Sequence, residues 1–262
     1  MQTDLLGGLA KKGWKLSLIS PDDKDPVLLE YCQQHQIRLY SFQANKWIWK
    51  TPYVLYRSYF LEDIKSNPAL FEKHYHEIHV AKHKWKILNV LPYLLICFYY
   101  FFQLFPFLRT WYKHIENSFL KSQEAQILLQ SIRPDLLVST YPVSPMEGIL
   151  LYNACKENIS TAIHLLSWDN ITSKGHFFAL ANDYLAWGPV MKMELMEKYK
   201  ISPEKISVPG VPHFDLHVQN RKMTNGSEAL LEIGLVPDQP FIIFGMSSPR
   251  FVPNEIDIVE FL

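Results

Sequence analysis

The sequence has few cysteines and no excess of charge, and both shortages limit what the protein can do. Cys32, Cys97 and Cys155 are the three cysteines among 262 residues, and none lies in a CxxC or Cys/His cluster. Neither a disulfide framework nor a zinc site is therefore indicated, and a reducing cytoplasm suits the chain best. Lysine plus arginine equal aspartate plus glutamate at 26 each, which disfavours nucleic acid as a partner.

Several catalytic and targeting signatures are also missing. The chain has no GxSxG, HExxH or GxGxxG sequence and no P-loop spacing. The N-terminus lacks the basic and apolar regions of a secretory signal, which again favours a cytoplasmic location. His79 and His83 have the i, i+4 spacing of metal ligands, but no third ligand follows nearby, so no metal is predicted.

Short apolar, β-branched runs alternate with amphipathic segments along the chain. The runs predict parallel strands at 16–19, 37–40, 136–139, 162–166, 184–187 and 206–208, with a seventh at 241–244. The segments predict helices, among them 117–131, 146–156 and 190–199. This alternation is typical of a Rossmann-like, doubly wound parallel sheet, so the predicted class is α/β.

The order of these elements predicts two domains. Residues 1–219 would form a first Rossmann-like domain, the polar stretch 220–227 a linker, and 228–262 the start of a second Rossmann-like domain. The first helix has no strand before it, and a single strand at 241–244 cannot make a domain. We therefore expect a chain that is truncated at both ends, a fragment of a longer enzyme.

An apolar insertion at about 82–113 interrupts the first domain. Residues 87–108 contain few polar side chains and are flanked by lysines and an arginine. Three interpretations stay open: a helix buried against the sheet, a helix or hairpin lying in the membrane face, and a true span. A span would put strands of one sheet on opposite sides of the bilayer. On the second interpretation, the protein would be peripheral at the inner face of the cytoplasmic membrane.

Polar loops follow the predicted strands, where ligands bind in open α/β sheets. The loop at 167–175 concentrates a stacking indole, a carboxylate, hydrogen-bonding groups and a cation, which suits a sugar or a phosphate. The candidate substrate-binding residues are Thr140, Trp168, Asn170, Lys174, Gly210 and His213. Asp169 is the first candidate for the catalytic base and Glu147 the second, although helix capping also accounts for Glu147 and an Asx-turn for the 167–175 loop.

A further loop follows the strand predicted at 241–244. Gly245, Ser247, Ser248 and Arg250 supply backbone amides, hydroxyls and a guanidinium that would bind a diphosphate. The sequence therefore predicts donor-phosphate-binding residues in the second domain.

Four segments in this order and spacing resemble bacterial surface-polysaccharide enzymes. They are SWDNITSKG at 167–175, DYLAWG at 183–188, VPGVPHFD at 208–215 and FGMSSPR at 244–250. The pattern is similar to that of CDP-glycerol glycerophosphotransferases and other glycosyltransferases of the two-Rossmann-domain (GT-B) architecture. The resemblance covers about 133–250 and is slight before that.

The resemblance implies a glycosyltransferase or glycerophosphotransferase. An N-terminal domain would bind a glycan or lipid-linked acceptor, a C-terminal domain would bind a CDP- or UDP-linked donor, and catalysis would occur between them. No covalently bound cofactor is implied. On this view the fragment alone would be inactive, because most of the donor-binding domain is missing.

Two alternatives stay open. One is a sugar-nucleotide 2-epimerase of the same architecture, and the other is a non-catalytic, membrane-associated binding module. A further domain encoded in the same reading frame would favour an enzyme over the module.

Overall fold

A computed structural model describes residues 5–46, 49, 57, 61, 67–72, 97, 100, 101, 104–215, 226–237, 239–247 and 255–261. It divides into two compact units, Met1–Pro212 and His213–Leu262. Parallel strands alternate with helices in the first unit, so the predicted α/β class is confirmed.

The described strands of the first unit form two separate parallel sheets, where the sequence predicts a single doubly wound sheet. β1 (Ser17–Ser20) pairs with β2 (Arg38–Ser41) in one of them. The other sheet has the order β3-β4-β5-β6, with every neighbouring pair parallel. Its strands are β3 (Leu136–Ser139), β4 (Ser160–His164), β5 (Asp183–Leu185) and β6 (Ile206–Ser207). The six strands predicted before residue 213 therefore all form, within one or two residues of their expected bounds.

Helices connect these strands. They are α1 (Leu5–Lys11), α2 (Pro26–Gln34), α3 (Pro106–Leu120), α4 (Gln123–Ile132), α5 (Pro145–Lys156), α6 (Asn170–Ser173) and α7 (Pro189–Tyr199). Short 3-10 turns occupy Pro203–Lys205 and Pro212–Phe214. In the second unit, α8 spans Gly226–Glu232 and α9 spans Ile256–Phe261.

The helix predicted at 117–131 is two helices with a tight junction between them. The Ser122 hydroxyl accepts a hydrogen bond from the Ala125 amide at 3.3 Å and so caps the start of α4. The buried Asn153 side chain donates to the Leu120 carbonyl at 2.9 Å and accepts from the Ser122 amide at 3.3 Å. These bonds satisfy backbone groups that the interruption of a helix would otherwise leave without partners.

Two apolar clusters form the core of the first unit. One lies around β4, β5 and α7 and includes Ile163, Leu165, Tyr184 and Leu195. The other brings Phe42, Leu120, Ile149, Leu150 and Phe178 together, so it joins the end of β2 to α3 and α5. Both clusters lie beside the β3–β6 sheet and hold the loops at its carboxyl ends in place.

The seventh predicted strand is wrong. Residues 241–244 form no strand, and the Ile242 and Ile243 side chains are exposed. A strand needs a hydrogen-bonded neighbour, and the described residues of the second unit contain no other strand. Gly226 and Ser227, predicted as part of the linker, instead begin α8.

Most of the apolar insertion lies outside the described residues. Residues 97, 100, 101 and 104 are helical, and α3 begins at Pro106 and continues past the predicted end of the insertion. Among the described residues, no helix combines the length and the apolar character that crossing a membrane requires.

Candidate functional site

The loops that follow β3, β4, β5 and β6 lie side by side at one edge of the sheet. The Leu166 amide donates to the Thr140 carbonyl at 3.2 Å, which joins the β3 and β4 loops. The indole nitrogen of Trp187 donates to the Leu165 carbonyl at 2.6 Å, which joins the β4 and β5 loops. The Ala186 amide donates to the Ser207 carbonyl at 2.8 Å beside β6. We call this edge the carboxyl-end rim; it comprises residues 140–144, 165–175, 186–188 and 208–211.

Asp169 is the carboxylate of the rim. The Ser167 hydroxyl donates to its Oδ1, and the Ser173 hydroxyl donates to its Oδ2 at 2.8 Å. The Lys174 ammonium lies 3.9 Å from Oδ2. Burial raises the pKa of Asp169, but the two hydroxyl bonds and the Lys174 charge outweigh it and lower this pKa below its ordinary value. Asp169 is therefore ionised at neutral pH and accepts hydrogen bonds rather than donating them.

Glu147 has a different environment, at the first turn of α5. One carboxylate oxygen, Oε2, accepts from the Ser139 hydroxyl at 2.6 Å and from the Thr140 and Tyr141 amides at 2.8 Å each. Ser144 occupies the N-cap position of α5, but its side chain makes no capping bond. Glu147 therefore fixes the backbone of the β3 loop, because three donors converge on a single oxygen. Because of this positioning role, Glu147 is the less favoured of the two candidates for the catalytic base.

The other predicted residues of the β4 loop present different surfaces. The Trp168 side chain is 65% exposed and offers a flat apolar face to solvent. Asn170 is buried, and its Nδ2 has no hydrogen-bond partner within the described part of the chain. A buried amide donor without a partner costs about 1–3 kcal/mol, so a water or ligand oxygen that reached it would be bound favourably.

Gly210 follows β6 at a backbone angle that disfavours other residues. Its φ is +98°, in the left-handed region, and open space lies where a Cβ would be. Glycine is therefore needed for the shape of this loop, and the loop leaves room beside it. Thr140 lies at the start of the β3 loop; its amide donates to Glu147 in α5, and its carbonyl accepts from the Leu166 amide of the β4 loop. The side chain of His213 lies outside the described residues.

The predicted donor loop belongs to the second unit. The Ser247 amide donates to the Glu255 carboxylate at 2.6 Å. An acidic side chain therefore already binds one of the backbone amides that were predicted to bind phosphate. Gly245 has open space around it, and Ser248 and Arg250 lie outside the described residues.

A cluster that the sequence did not predict lies beneath the rim. Both Glu116 oxygens accept from Arg57, with Nε to Oε1 at 2.7 Å and Nη2 to Oε2 at 2.9 Å. The Lys113 ammonium donates to Glu116 Oε2 at 2.7 Å and to the Phe178 carbonyl at 2.9 Å. Arg57 also donates to the His176 carbonyl and stacks 3.9 Å over the Phe178 ring. We call Arg57, Lys113, Glu116 and the 176–178 backbone the buried charge cluster.

The buried charge cluster couples α3 to the segment that leaves the β4 loop. Burial raises the pKa of Glu116, but Arg57 and Lys113 overcome this and lower it to about 2. One signal in the sequence marks this residue: Glu116 is the first acidic residue after Glu77. An isolated carboxylate after a long apolar and basic stretch indicates a buried ion pair, but its partner Arg57 is too distant in sequence to be identified.

His176 is held uncharged beside this cluster. Burial, together with the positive charges of Arg57 and Lys113, lowers the pKa of His176 to about 4. Its ordinary pKa of 6.5 applies in the unfolded chain. The unfolded state therefore binds the proton first as the pH falls, and stability is lost between about pH 6.5 and pH 4.

We expect the free energy of unfolding to fall by about 1–2 kcal/mol between pH 7 and pH 5 because of His176. Urea unfolding at both pH values measures it. His176→Gln should remove most of this loss, whereas His114→Gln, which changes an exposed ring on α3, should leave it in place. An equal pH dependence in the wild type and His176→Gln would contradict the assignment. Glu116 affects stability only below its ordinary pKa of 4.5, so the two effects separate.

Two further features of the described residues concern a cavity and metal binding. A groove of about 380 Å³ is lined by Leu129, Gln130, Arg133, Pro134, Glu157 and Ile159. It lies where β3 and β4 begin, at the edge opposite the carboxyl-end rim, and ligands of open α/β sheets bind at the carboxyl ends. Within the described ranges, no three His, Cys, Asp or Glu side chains are grouped so as to hold a metal ion.

Comparison with family models, with curated proteins and with solved structures found no match. The chemistry of the carboxyl-end rim is therefore inferred from its own geometry.

Proposed function

We propose that the carboxyl-end rim binds a hydroxylated acceptor, a sugar or polyol, and that the protein belongs to a GT-B-like transferase using a CDP- or UDP-linked donor. One observation carries the proposal. Asp169 is an ionised carboxylate held by two hydroxyls and a nearby ammonium, in a loop joined by hydrogen bonds to its neighbours at the carboxyl ends of parallel strands.

Binding would use three groups of the β4 loop. The exposed indole of Trp168 offers a face on which a sugar ring can stack, which aromatic side chains commonly provide in ligand sites. Asp169 accepts hydrogen bonds from ring or polyol hydroxyls. The Lys174 ammonium, with a side chain 41% exposed, attracts a phosphate attached to the acceptor.

The same groups would serve group transfer. A positioned carboxylate accepts the proton of an acceptor hydroxyl as the hydroxyl oxygen forms its new bond to the donor carbon or phosphorus, while the nucleotide leaves. The hydroxyls of Ser167 and Ser173 fix both Asp169 oxygens, which keeps the base aligned before substrate arrives. Glu147 acts indirectly, because it holds the Thr140 and Tyr141 amides in place beside the β4 loop.

Acceptor binding can be measured by tryptophan fluorescence and calorimetry. We expect sn-glycerol 3-phosphate or a short N-acetylglucosamine oligosaccharide to bind saturably. The change in emission should disappear in Trp168→Phe but persist in Trp14→Phe, a control in which an equally exposed indole is altered. Asp169→Asn should weaken binding by at least about tenfold, since a hydrogen bond to a charged acceptor contributes about 1.5–3 kcal/mol.

Group transfer is tested separately with CDP-glycerol and UDP-N-acetylglucosamine, by following release of CMP or UDP in the presence of an acceptor. The full-length gene product is the sample for this arm. Wild-type release that Asp169→Asn reduces supports the base assignment. Acceptor binding that is unchanged in both Asp169→Asn and Lys174→Met would refute the proposed site.

A further inference from the structure

Helix α3 is amphipathic in the inverted sense. Before its last turn, the inward side chains of this helix are charged, because Lys113 and Glu116 belong to the buried charge cluster, whereas Leu120 at its end packs in the apolar core. Its outward face carries Phe107, Trp111 and Ile115, which are 67%, 60% and 37% exposed. An ordinary surface helix has the reverse arrangement, with the apolar stripe on the core and the charges in water.

The outward residues form one stripe. Phe107, Trp111 and Ile115 are spaced four residues apart, so successive side chains lie above one another on the helix. The stripe continues in the described residues just before α3, where Phe101, Phe105 and Phe107 contact one another with ring centroids 5.2 and 5.9 Å apart. Exposed aromatic side chains thus form a contiguous patch, and patches of this kind mark an interface with a membrane or a protein.

The charge pattern of the surrounding sequence identifies the occupant. No aspartate or glutamate occurs from residue 78 to residue 115, whereas five lysines and arginines do. Lys113 pairs with Glu116 in the buried charge cluster, which leaves Lys82, Lys84, Lys86 and Arg109 as the positive charges of this stretch. The rest of the chain must therefore carry an equal excess of acidic residues, since the totals balance. A cationic stretch rich in aromatic residues is complementary to anionic lipid headgroups.

A second copy of the chain suits this face less well. A symmetric dimer brings the same segment of both copies together, so two stretches of the same positive net charge would be paired. Like charges brought together in an interface cost free energy, whereas an anionic bilayer neutralises them.

We propose that the outward face of α3, formed by Phe107, Trp111 and Ile115, docks the protein onto an anionic lipid bilayer with the helix lying in the plane of the interface. Tryptophan and phenylalanine rings favour this depth, where an apolar body meets the polar headgroups. The inward charges then have a second consequence: the buried charge cluster ties the docking helix to the segment that leaves the β4 loop. Docking would therefore hold the carboxyl-end rim at a fixed distance from the lipid surface.

The test is sedimentation of the full chain with phosphatidylcholine vesicles that do or do not contain phosphatidylglycerol. We expect binding to the anionic vesicles only, with salt weakening it. The double variant Phe107→Ser/Trp111→Ser should bind at least about tenfold more weakly, because two large apolar side chains no longer leave water. Trp14→Ser, which removes a similarly exposed indole elsewhere in the first unit, should bind like the wild type.

Three results would overturn the proposal. The first is undiminished binding by the double variant, and the second is equal binding to neutral and anionic vesicles. The third is a wild-type protein that does not bind vesicles but forms a dimer in light scattering, when the double variant forms none. Circular dichroism checks that the variants fold. If the double variant does not fold, the single variant Trp111→Ser is tested in its place. None of these outcomes depends on acceptor binding at the rim, so membrane docking and the proposed function are tested independently.

Discussion

Replacing Glu116 with alanine should lower the free energy of unfolding by about 3–5 kcal/mol, the usual cost of removing one partner from a buried ion pair. The Glu116 side chain is completely buried, and both its oxygens bind the guanidinium of Arg57, which is itself 3% exposed. Without the carboxylate, Arg57 and Lys113 would remain close together without their shared counter-ion. Urea unfolding at pH 7, followed by circular dichroism, measures the loss.

Two controls distinguish buried charge from other causes. Glu124→Ala removes an exposed glutamate from the next helix and should change stability by less than about 0.5 kcal/mol. The double variant Arg57→Met/Glu116→Leu replaces the pair with apolar groups of similar size and should recover most of the loss. Neither charge of the pair is then left alone, and the Lys113 side chain, which is 36% exposed, can still reach water. If Glu116→Ala were no more destabilising than Glu124→Ala, the buried charge cluster would not contribute to stability as described.

The local elements of the first unit could be predicted from the sequence because each has its own signal. Asp25 is an example: it precedes Pro26 and caps α2 by accepting from the Val27 and Leu28 amides at 2.8 and 3.0 Å. The β-branched runs and the helices between them predict parallel strands, and the loops that contain Thr140 and Asp169 follow at one edge as a consequence. The shared edge of these loops was thus a prediction from topology alone.

Long-range pairing could not be predicted in the same way. Arg57 and Glu116 are separated by 59 residues, and no local pattern links them. At 241–244 a local pattern was present, but the predicted strand does not form. A β-branched composition produces a strand only where a neighbouring strand is present to pair with it. Sequence likewise could not tell whether Glu147 would face a ligand or its own loop, since the same carboxylate suits both.

The orientation of helix α3 could be determined only from the structure. The apolar stretch 87–108, whose end forms the start of α3, was visible in the sequence, and burial against the sheet was one of its three interpretations. Which face of α3 packs inward depends on the position of Arg57, and this partner selects the charged face rather than the aromatic one. A helix whose two faces could each be buried is ambiguous until its neighbours are known.

Gly148→Ala should destabilise the protein by about 3 kcal/mol, although alanine favours helices more than glycine does by about 1 kcal/mol. Gly148 lies in α5, and a Cβ there would lie far inside van der Waals contact with the Phe178 Cβ and 3.0 Å from its Cγ. Phe178 has little freedom to move away. Its amide donates to the Pro142 carbonyl at 3.1 Å, its carbonyl accepts from Lys113, and its ring packs under Arg57.

A matched control is available in α1. Gly8→Ala makes the same change in a helix where nothing lies within 4 Å of the new Cβ, so it should be neutral or stabilise by up to about 1 kcal/mol. Shortening Phe178 to alanine should not rescue Gly148→Ala, because the closest atom is the Cβ that alanine retains. Thermal and urea unfolding of these three variants measure the differences. If Gly148→Ala resembled Gly8→Ala, α5 and the 176–178 segment would not pack as closely as the backbone positions require.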